Sequence, residues 1–177
     1  MAIIEREFLD FLTTHGASET EHSGYNFLSH LKGTFEILKD WEQSDRVCVA
    51  GLFHSVYGTE VFVDTLIPSD LRPVVSKLIG DDAEQLTYYF GIMDREHFVG
   101  QLNSVGSFHI KNRQTNMICD LSQNEFRDLC HIYVANRLEH HPRWADNYRF
   151  CESDEMAQMH QHLCEKAWVD LKNEYRF

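Results

Sequence analysis

The chain has 177 residues, of which 43% are hydrophobic and 12% aromatic, and its 16 Lys and Arg face 28 Asp and Glu. Twelve Phe, seven Tyr and three Trp, against three Pro and nine Gly, exclude a disordered or fibrous chain. The formal charge of −12 argues against a nucleic-acid or anionic-membrane partner, because phosphates would be repelled over most of the surface. A chain of this length can bury one sizeable core, so we expect a single domain over residues 1–177.

The cysteine pattern and the N-terminal sequence bear on the cellular compartment. Five Cys are an odd number and form no CxxC pair, so neither a disulfide framework nor a zinc ribbon is indicated. The first residues, MAIIEREF, carry acids where a signal peptide carries a basic patch. The longest apolar run, from Val47 to Phe53, is too short to span a membrane. We therefore expect a reduced, cytoplasmic protein, and its oligomeric state stays open.

The first third of the chain predicts three helices. Residues 2–14 place apolar side chains three and four positions apart, as on one face of a helix, and a second helix is predicted over about 25–41. Ser44 and Asp45 suit the start of a third helix, over about 45–57. This third helix is apolar nearly all round, so we expect it to be the buried, central helix of the fold.

The middle of the chain predicts two more helices and one irregular insert. A short helix is expected to end near residue 79, with Pro73 tolerated in its first turn, and a longer helix is expected over about 81–98. From about 100 to 119 the helical pattern stops, which fits a small β-hairpin or an irregular flap. A stretch of that length is often functional, so we expect it to form a lid over the site.

The last third predicts two helices with clear boundaries. Ser122 and Glu125 have the spacing of a capping box, and Pro142 ends the helix that they open. Ser153 is the expected cap of the final helix. The predicted fold is therefore all-α, a bundle of six or seven helices with one irregular insert.

Histidine carries the chemical information in this sequence. His54 lies in the most apolar helix, in AGLFHSVYGTE, where a buried imidazole must be hydrogen-bonded or bind a ligand. His30 lies on the preceding helix, and a short turn between two antiparallel helices can bring the two rings together. Gly33 in mid-helix costs stability unless a close approach is needed there. A core histidine bonded to a helix carbonyl is the alternative interpretation of His54.

The runs AGLFHSVYGTE and IYVANRLEH resemble the HD superfamily of metal-dependent phosphohydrolases. That superfamily has a His on one helix, then a buried helix of the form A-x-L-x-H-D, then a later helix containing A-D-R-L. The resemblance covers the helix order from His22 to about Arg143, and the spacing of His30 and His54 is similar to that in alarmone hydrolases and HD-type oxygenases. The same runs also look like an uncharacterised family associated with this superfamily. The resemblance implies an HD-like bundle, a small-molecule ligand and one divalent metal (Fe, Mn or Zn) held by His30 and His54.

Two carboxylates of that superfamily's metal site are replaced here by the neutral side chains of Ser55 and Asn136. Loss of two compensating charges should weaken metal binding unless other carboxylates replace them. Candidate replacements follow the third helix or follow Asn136 on its own helix: Glu60, Asp64, Glu139 and His140. HD-type oxygenases use more histidines than the hydrolases do, so His97 and His109 are further candidates.

Three functions fit these residues. In the first, a modified metal site serves a small-molecule enzyme, either a hydrolase of a phosphorylated or nucleotide-like substrate or a metal-dependent oxygenase. In the second, the metal is absent and the pocket binds a small ligand by hydrogen bonds, with His54 as a general base. In the third, the module is structural or regulatory and packing side chains fill the former site. Two retained histidines favour the first function, and a metal-free binding or regulatory module is the alternative.

The candidate site residues follow from these functions. The catalytic candidates are His54, Ser55 and Glu60, and the metal candidates are His30 and His54. Ser55 as a nucleophile is disfavoured, because no G-x-S-x-G elbow surrounds it. The ligand-binding candidates are Tyr57, Asn136, Arg137 and Arg113. Among them, Arg113 and Arg137 are the expected contacts for an anion on so acidic a protein.

Overall fold

The computed structural model describes residues 4–22, 25–143 and 153–175. These residues form nine α-helices: α1 (Arg6–Thr14), α2 (Phe27–Asp40), α3 (Asp45–Phe53), α4 (Arg72–Ile79), α5 (Asp81–Ile92), α6 (Arg95–Val99), α7 (Gln123–His140), α8 (Ser153–Gln158) and α9 (Glu165–Tyr175). They also form two antiparallel hairpins, β1 (Glu21–His22) with β2 (Tyr25–Asn26) and β3 (Phe108–Lys111) with β4 (Ile118–Leu121). The predicted all-α class with a small hairpin is confirmed.

Helix α3 is the centre of the bundle, as predicted from its apolar sequence. It packs against α2, α5 and α7, and six of its nine residues are buried. Helices α2 and α3 approach closely, since a Cβ on Gly51 would lie 2.2 Å from Cδ1 of Leu38. This close packing fixes the position of the residues that follow α3, beginning with His54, against α2.

Two of the predicted helices are each divided in two, and this raises the helix count. The predicted helix over 81–98 breaks at Met93, whose backbone is extended and pairs in a β-bridge with Asn112 of the insert. The chain then re-enters a helix at α6, whose first turn is capped by the side chain of Asp94. The predicted final helix breaks at Leu163, which is also extended. These breaks depend on tertiary contacts, which the spacing of apolar residues along a helix cannot predict.

The irregular insert contains the β3–β4 hairpin, and it packs at the N-terminal end of α7. The ring of Phe108 stacks on Phe126, with 4.0 Å between the ring centroids. Glu139 lies thirteen residues further along the same helix, which corresponds to about 20 Å. This contact places Phe108 at the end of α7 opposite Glu139, and the expectation that the insert forms a lid over the site near His54 stays a prediction.

Two further expectations concern cysteine and membranes. Among the described residues the cysteines are free thiols, namely Cys48, Cys119, Cys130 and Cys164. The fifth cysteine, Cys151, lies outside the described residues. None of the helices in the described ranges is both long enough and apolar enough to cross a membrane.

Candidate functional site

The imidazoles of His30, on α2, and His54, immediately after α3, meet in the protein core. Their Nε2 atoms lie 3.1 Å apart, and the two rings are inclined at 77° to each other. Both side chains are fully buried. The structure therefore brings together the two histidines that the sequence singled out, while their role as metal ligands stays a prediction.

The hydrogen bond of Nδ1 determines which nitrogen of the neutral His54 ring carries the proton. Nδ1 of His54 lies 2.7 Å from the carbonyl oxygen of Gly51, and a carbonyl can only accept a hydrogen bond. That carbonyl is among the last of α3, which a helix leaves without a regular partner. Because Nδ1 carries the proton, the lone pair of the neutral ring is at Nε2 and faces His30.

The His30 ring is oriented in the same way by a carboxylate. Its Nδ1 is hydrogen-bonded to Oε2 of Glu139, which reaches it from α7. A carboxylate accepts, so Nδ1 of His30 donates, and the neutral ring again has its lone pair at Nε2. Two lone pairs then face each other across 3.1 Å. Such a pair is favourable only with a cation between the nitrogens, either a proton or a metal ion.

The side chain of Glu139 passes close to Gly33 of α2 to reach His30. A Cβ on Gly33 would lie 2.7 Å from Cγ and 2.9 Å from Oε1 of Glu139, which is closer than packed atoms approach. The close approach that the sequence suggested at Gly33 is therefore confirmed, and the neighbour is a buried carboxylate. Replacing the hydrogen of Gly33 with any side chain would force Glu139 to move.

His140 is the fourth member of the cluster. Its ring stacks on that of His30, with centroids 4.2 Å apart and planes inclined at 19°. One ligand atom from each of His30, Glu139 and His140 lies within 4.8 Å of the others, a grouping that could hold a metal ion. Stacked rings carry their nitrogen lone pairs in nearly parallel planes, so those of His30 and His140 converge poorly. The arrangement favours the facing nitrogens of His30 and His54 as the chelating pair.

The spacing of that pair fits a divalent metal. Two imidazole nitrogens bound at about 2.1 Å to one ion, with bond angles near those of octahedral or tetrahedral sites, lie about 3.0 to 3.4 Å apart. The observed separation of Nε2 of His30 and Nε2 of His54 is 3.1 Å. Imidazole and carboxylate donors together suit Zn, Mn and Fe. The residues present therefore fit the metal that the resemblance implies.

Ser55 and Asn136 are the residues that the sequence resemblance predicts to replace two carboxylates of the HD superfamily. Ser55 lies in the turn after α3 and is 4% exposed, and Asn136 lies on α7 and is 6% exposed. Within the described ranges, neither side chain has a hydrogen-bond partner in the protein. Because buried polar groups are nearly always bonded, these two are suited to a ligand or a water molecule.

Three other predicted site residues are engaged elsewhere. The hydroxyl of Tyr57 donates to Oε1 of Glu84 at 2.9 Å, and Nε of Arg113 donates to the carbonyl of Gly91 at 3.2 Å. Glu60 is exposed, and its carboxylate accepts from the backbone N–H of Arg95 at 3.0 Å. After Tyr57 the chain turns at Gly58, whose φ is +75°, and this turn carries Glu60 to the surface.

The additional ligand candidates also lie in other surroundings. His109 is hydrogen-bonded across the hairpin to Asp120, with Nδ1 and Oδ1 3.0 Å apart. His97 borders a separate cavity of about 530 Å³ that is also lined by Gln101 and Lys111. Asp64 is exposed. Of the proposed replacements for the missing carboxylates, Glu139 and His140 are the two that the structure brings to His30.

Arg137 lies on α7 beside Asn136, and it shares an aromatic ring with a second arginine. Its guanidinium carbon lies 6.0 Å from the centroid of the Tyr133 ring, and that of Arg95 lies 5.4 Å from the same centroid. Burial lowers the pKa of the Arg137 guanidinium, and the nearby positive charge of Arg95 lowers it further. Sequence reasoning missed Arg95, because its proximity to Tyr133 depends on how α6 packs against α7.

Comparison with known proteins supports the fold and leaves the activity open. A family model described as "Domain of unknown function (DUF6817)" matches residues 11–95, which include both facing histidines. The chain has no match among curated proteins. It is similar to a solved structure described as "A metazoan ortholog of SpoT hydrolyzes ppGpp and plays a role in starvation responses". The TM-score is 0.59 at 12% identity, over 99% of this chain and 97% of that chain. This likeness confirms the predicted HD-like bundle.

Proposed function

We propose that the chain is a metal-dependent hydrolase of a small phosphorylated molecule, with one divalent cation held between His30 and His54. The observation that carries the proposal is the pair of facing Nε2 atoms, 3.1 Å apart, with both Nδ1 atoms bonded to acceptors. The structural neighbour is described as hydrolysing ppGpp, which supports hydrolysis over oxygenation. Fe, Mn and Zn are all compatible with this donor set.

In this proposal each neighbouring residue has a distinct task. Glu139 accepts the Nδ1 proton of His30, which keeps the Nε2 lone pair available and adds a negative charge beside the cation. The carbonyl of Gly51 does the same for His54 without adding charge. Ser55 and Asn136 provide neutral polar atoms that can orient a substrate or a water molecule. A divalent metal bound there would supply a Lewis acid and lower the pKa of a water molecule.

The alternative is a metal-free binding or regulatory module. Its support is that Ser55 and Asn136 are neutral where the superfamily has carboxylates, so Glu139 is the buried carboxylate that the described residues bring to the histidines. A proton between His30 and His54 would make one imidazolium, and Glu139 would balance its charge. In that case the cluster stabilises the fold and the pocket binds a ligand through neutral hydrogen bonds.

Metal content and metal titration test the proposal directly. Protein purified without an affinity tag or chelator should contain, or take up, about one equivalent of Mn, Fe or Zn. His54→Ala should lose this metal. His131→Ala is the matched control, since His131 is also buried but has both ring nitrogens bonded to protein groups. It should lose stability and keep the metal.

The outcomes separate the two functions. Absence of metal from the wild type, together with no uptake on titration, would overturn the enzyme proposal. The metal-free alternative would then predict that His54→Ala lowers the free energy of unfolding as His131→Ala does. Retention of metal in His54→Ala would instead overturn the assignment of His54 as a ligand.

A further inference from the structure

A cavity of about 530 Å³ lies between α6 and β3, and none of its lining residues belongs to the histidine cluster. This volume is within the range of small-molecule sites, roughly 300 to 1,000 Å³. The cavity is lined by Asp94, Glu96, His97, Gly100, Gln101 and Lys111. Phe98, the neighbour of His97, packs on Phe126 in the first turn of α7, with 4.8 Å between the ring centroids. Glu139 lies thirteen residues further along α7, so the cavity is separate from the site near His30.

The walls of this cavity are held together by hydrogen bonds within the protein. Oε1 of Gln101 accepts from the backbone N–H of His109 at 2.8 Å. Nε2 of Gln101 donates to the carbonyl oxygens of His97 at 3.1 Å and of His109 at 2.9 Å, so one side chain joins α6 to β3. Oδ2 of Asp94 accepts from Nζ of Lys111 at 2.7 Å, which joins the two elements a second time. The cavity is therefore preformed, and a ligand would not have to order its walls.

Two polar groups at the cavity lack a hydrogen bond to the protein. Nε2 of His97 is excluded from solvent and has no hydrogen-bond partner in the described part of the chain. Glu96 is exposed, and its carboxylate forms no ion pair or hydrogen bond with any residue in the described ranges. Buried polar atoms are nearly always bonded in folded proteins. The nitrogen of His97 is therefore suited to a ligand that enters the cavity.

The charges at the cavity indicate which ligand it suits. The hydrogen bond from Lys111 to Asp94 lowers the pKa of that carboxyl group, so this pair consists of opposite charges that offset each other. The charge that remains is the negative charge of Glu96, in a protein whose formal charge is −12. An anion would be repelled, whereas a cation would be attracted. An ammonium group can donate to the carboxylate of Glu96 and also to Nε2 of a His97 ring that carries its proton on Nδ1.

We propose that this cavity is a second ligand site, which binds a small aliphatic amine through Glu96 and His97. The ammonium group donates to the Glu96 carboxylate and to Nε2 of His97, and the aliphatic part occupies the rest of the cavity. Binding requires a side-chain rotation of His97 that turns Nε2 towards the ligand. The site needs no metal, and it does not depend on the function proposed for the histidine cluster.

Titration with butylamine tests this site in the full-length protein, with the backbone amide NMR resonances of Gly100 and Gln101 as the measurement. The titration is made with EDTA, at low ionic strength and at about pH 8, where a primary amine is charged and an ordinary imidazole is neutral. Both resonances should shift and saturate in the wild type. 1-Butanol has a similar shape and no charge, so it should cause no saturating shift at the same concentrations.

Three variants separate the site from a general attraction of cations. Glu96→Gln should weaken butylamine binding about tenfold or more, because it removes a charged acceptor. His97→Leu should weaken it about three- to tenfold, because it removes one hydrogen bond. Glu19→Gln is the matched control, since Glu19 is also exposed and does not line the cavity. It should change the affinity less than about twofold.

Several results would overturn the site. One is the absence of a saturating shift in the wild type, and another is equal weakening by all three variants, which would show that only net charge attracts the amine. If His97→Leu fails to fold, Glu96→Gln decides the test, since Glu96 is exposed. His54→Ala should bind butylamine as the wild type does, whether or not the protein holds a metal. Loss of butylamine binding in His54→Ala would instead place the amine at the histidine cluster.

Discussion

Two buried polar clusters in this protein differ in how their hydrogen bonds are completed. In the first, Oε1 of Glu84 accepts from the hydroxyl of Tyr57 at 2.9 Å and from Nε of Arg72 at 2.7 Å. Oε2 accepts from the second guanidinium nitrogen at 2.8 Å, and the guanidinium lies 3.5 Å from the centroid of the Tyr88 ring. Three donors in this cluster meet the two carboxylate oxygens, and the charges of Glu84 and Arg72 are opposite.

The histidine cluster is arranged differently. His30 and His54 each use one nitrogen as a donor to a protein group, and the nitrogens that remain are two acceptors that face each other. Both clusters are buried, so burial alone does not separate a cluster that only stabilises the fold from one proposed to bind a metal. The matching of hydrogen-bond donors to acceptors does separate the two clusters. The hydroxyl of Tyr57 belongs to the first cluster, and the role of Tyr57 in ligand binding stays a prediction.

The largest expected effect comes from breaking the completed cluster. Glu84→Gln keeps the shape of the side chain but removes the negative charge that faces Arg72, so one charged hydrogen bond is lost and another is weakened. We expect the free energy of unfolding to fall by about 2 to 3 kcal/mol, measured by urea denaturation. Metal uptake should not change. A loss of metal in Glu84→Gln would show that the two clusters are coupled and do not act separately.

An intermediate effect is expected at Gly33. Gly33→Ala should displace Glu139 from His30 and weaken metal binding about 10- to 100-fold, because the carboxylate no longer orients the ring. Ala favours a helix over Gly by about 1 kcal/mol, which offsets part of the strain. Metal titration measures the first effect and urea denaturation the second.

The control for this prediction is Gly33→Ala in a protein that lacks the Glu139 side chain. In a Glu139→Ala background, Gly33→Ala should raise the free energy of unfolding by about 1 kcal/mol, since the obstructing side chain is gone. Equal effects of Gly33→Ala in both backgrounds would show that Glu139 does not limit the space at residue 33.

The smallest effect concerns a histidine whose hydrogen bonds are complete. Nδ1 of His131 is bonded to the carbonyl of Arg127 at 2.8 Å, and Nε2 accepts from the backbone N–H of Cys164 at 2.9 Å. Burial lowers the pKa of His131, so the unfolded chain binds more protons than the folded protein as the pH falls below about 6.5. The stability from neutral His131 is therefore complete above that pH and is lost as the pH falls through the folded pKa.

Urea denaturation over about pH 5 to 8 measures this contribution. His131→Gln should be less stable than the wild type at neutral pH, and the difference should shrink as the solution is acidified. A difference that stays constant with pH would show that His131 is not held in its neutral form.

Much of the fold could be predicted because its signals are local. The Ser122–Glu125 capping box and the start of α3 after Ser44 were visible as short patterns, and both are confirmed. The role of Gly33 as a point of close approach was visible because glycine is unfavourable in mid-helix. Such signals depend on residues a few positions apart, and tertiary packing did not override them here.

The parts that could not be predicted depend on residues far apart in the chain. Glu139 is 109 positions from His30, and the sequence could show only that it projects near the face of Asn136. The break at Met93 arises from a bridge to Asn112, which no helical pattern contains. The pairing of acceptors at His30 and His54 needed both ring orientations, which the distant Glu139 and the end of α3 determine.

The close packing of Glu139 against Gly33 has an evolutionary consequence. A substitution at either position changes what the other can be, so the two codons should not vary independently among descendants of a common ancestor. Homologues with a side chain at the position of Gly33 should carry a shorter residue at the position of Glu139. Homologues that retain the glutamate should retain the glycine. The carboxylate would then have been gained in two steps, with the loss of the side chain at residue 33 first.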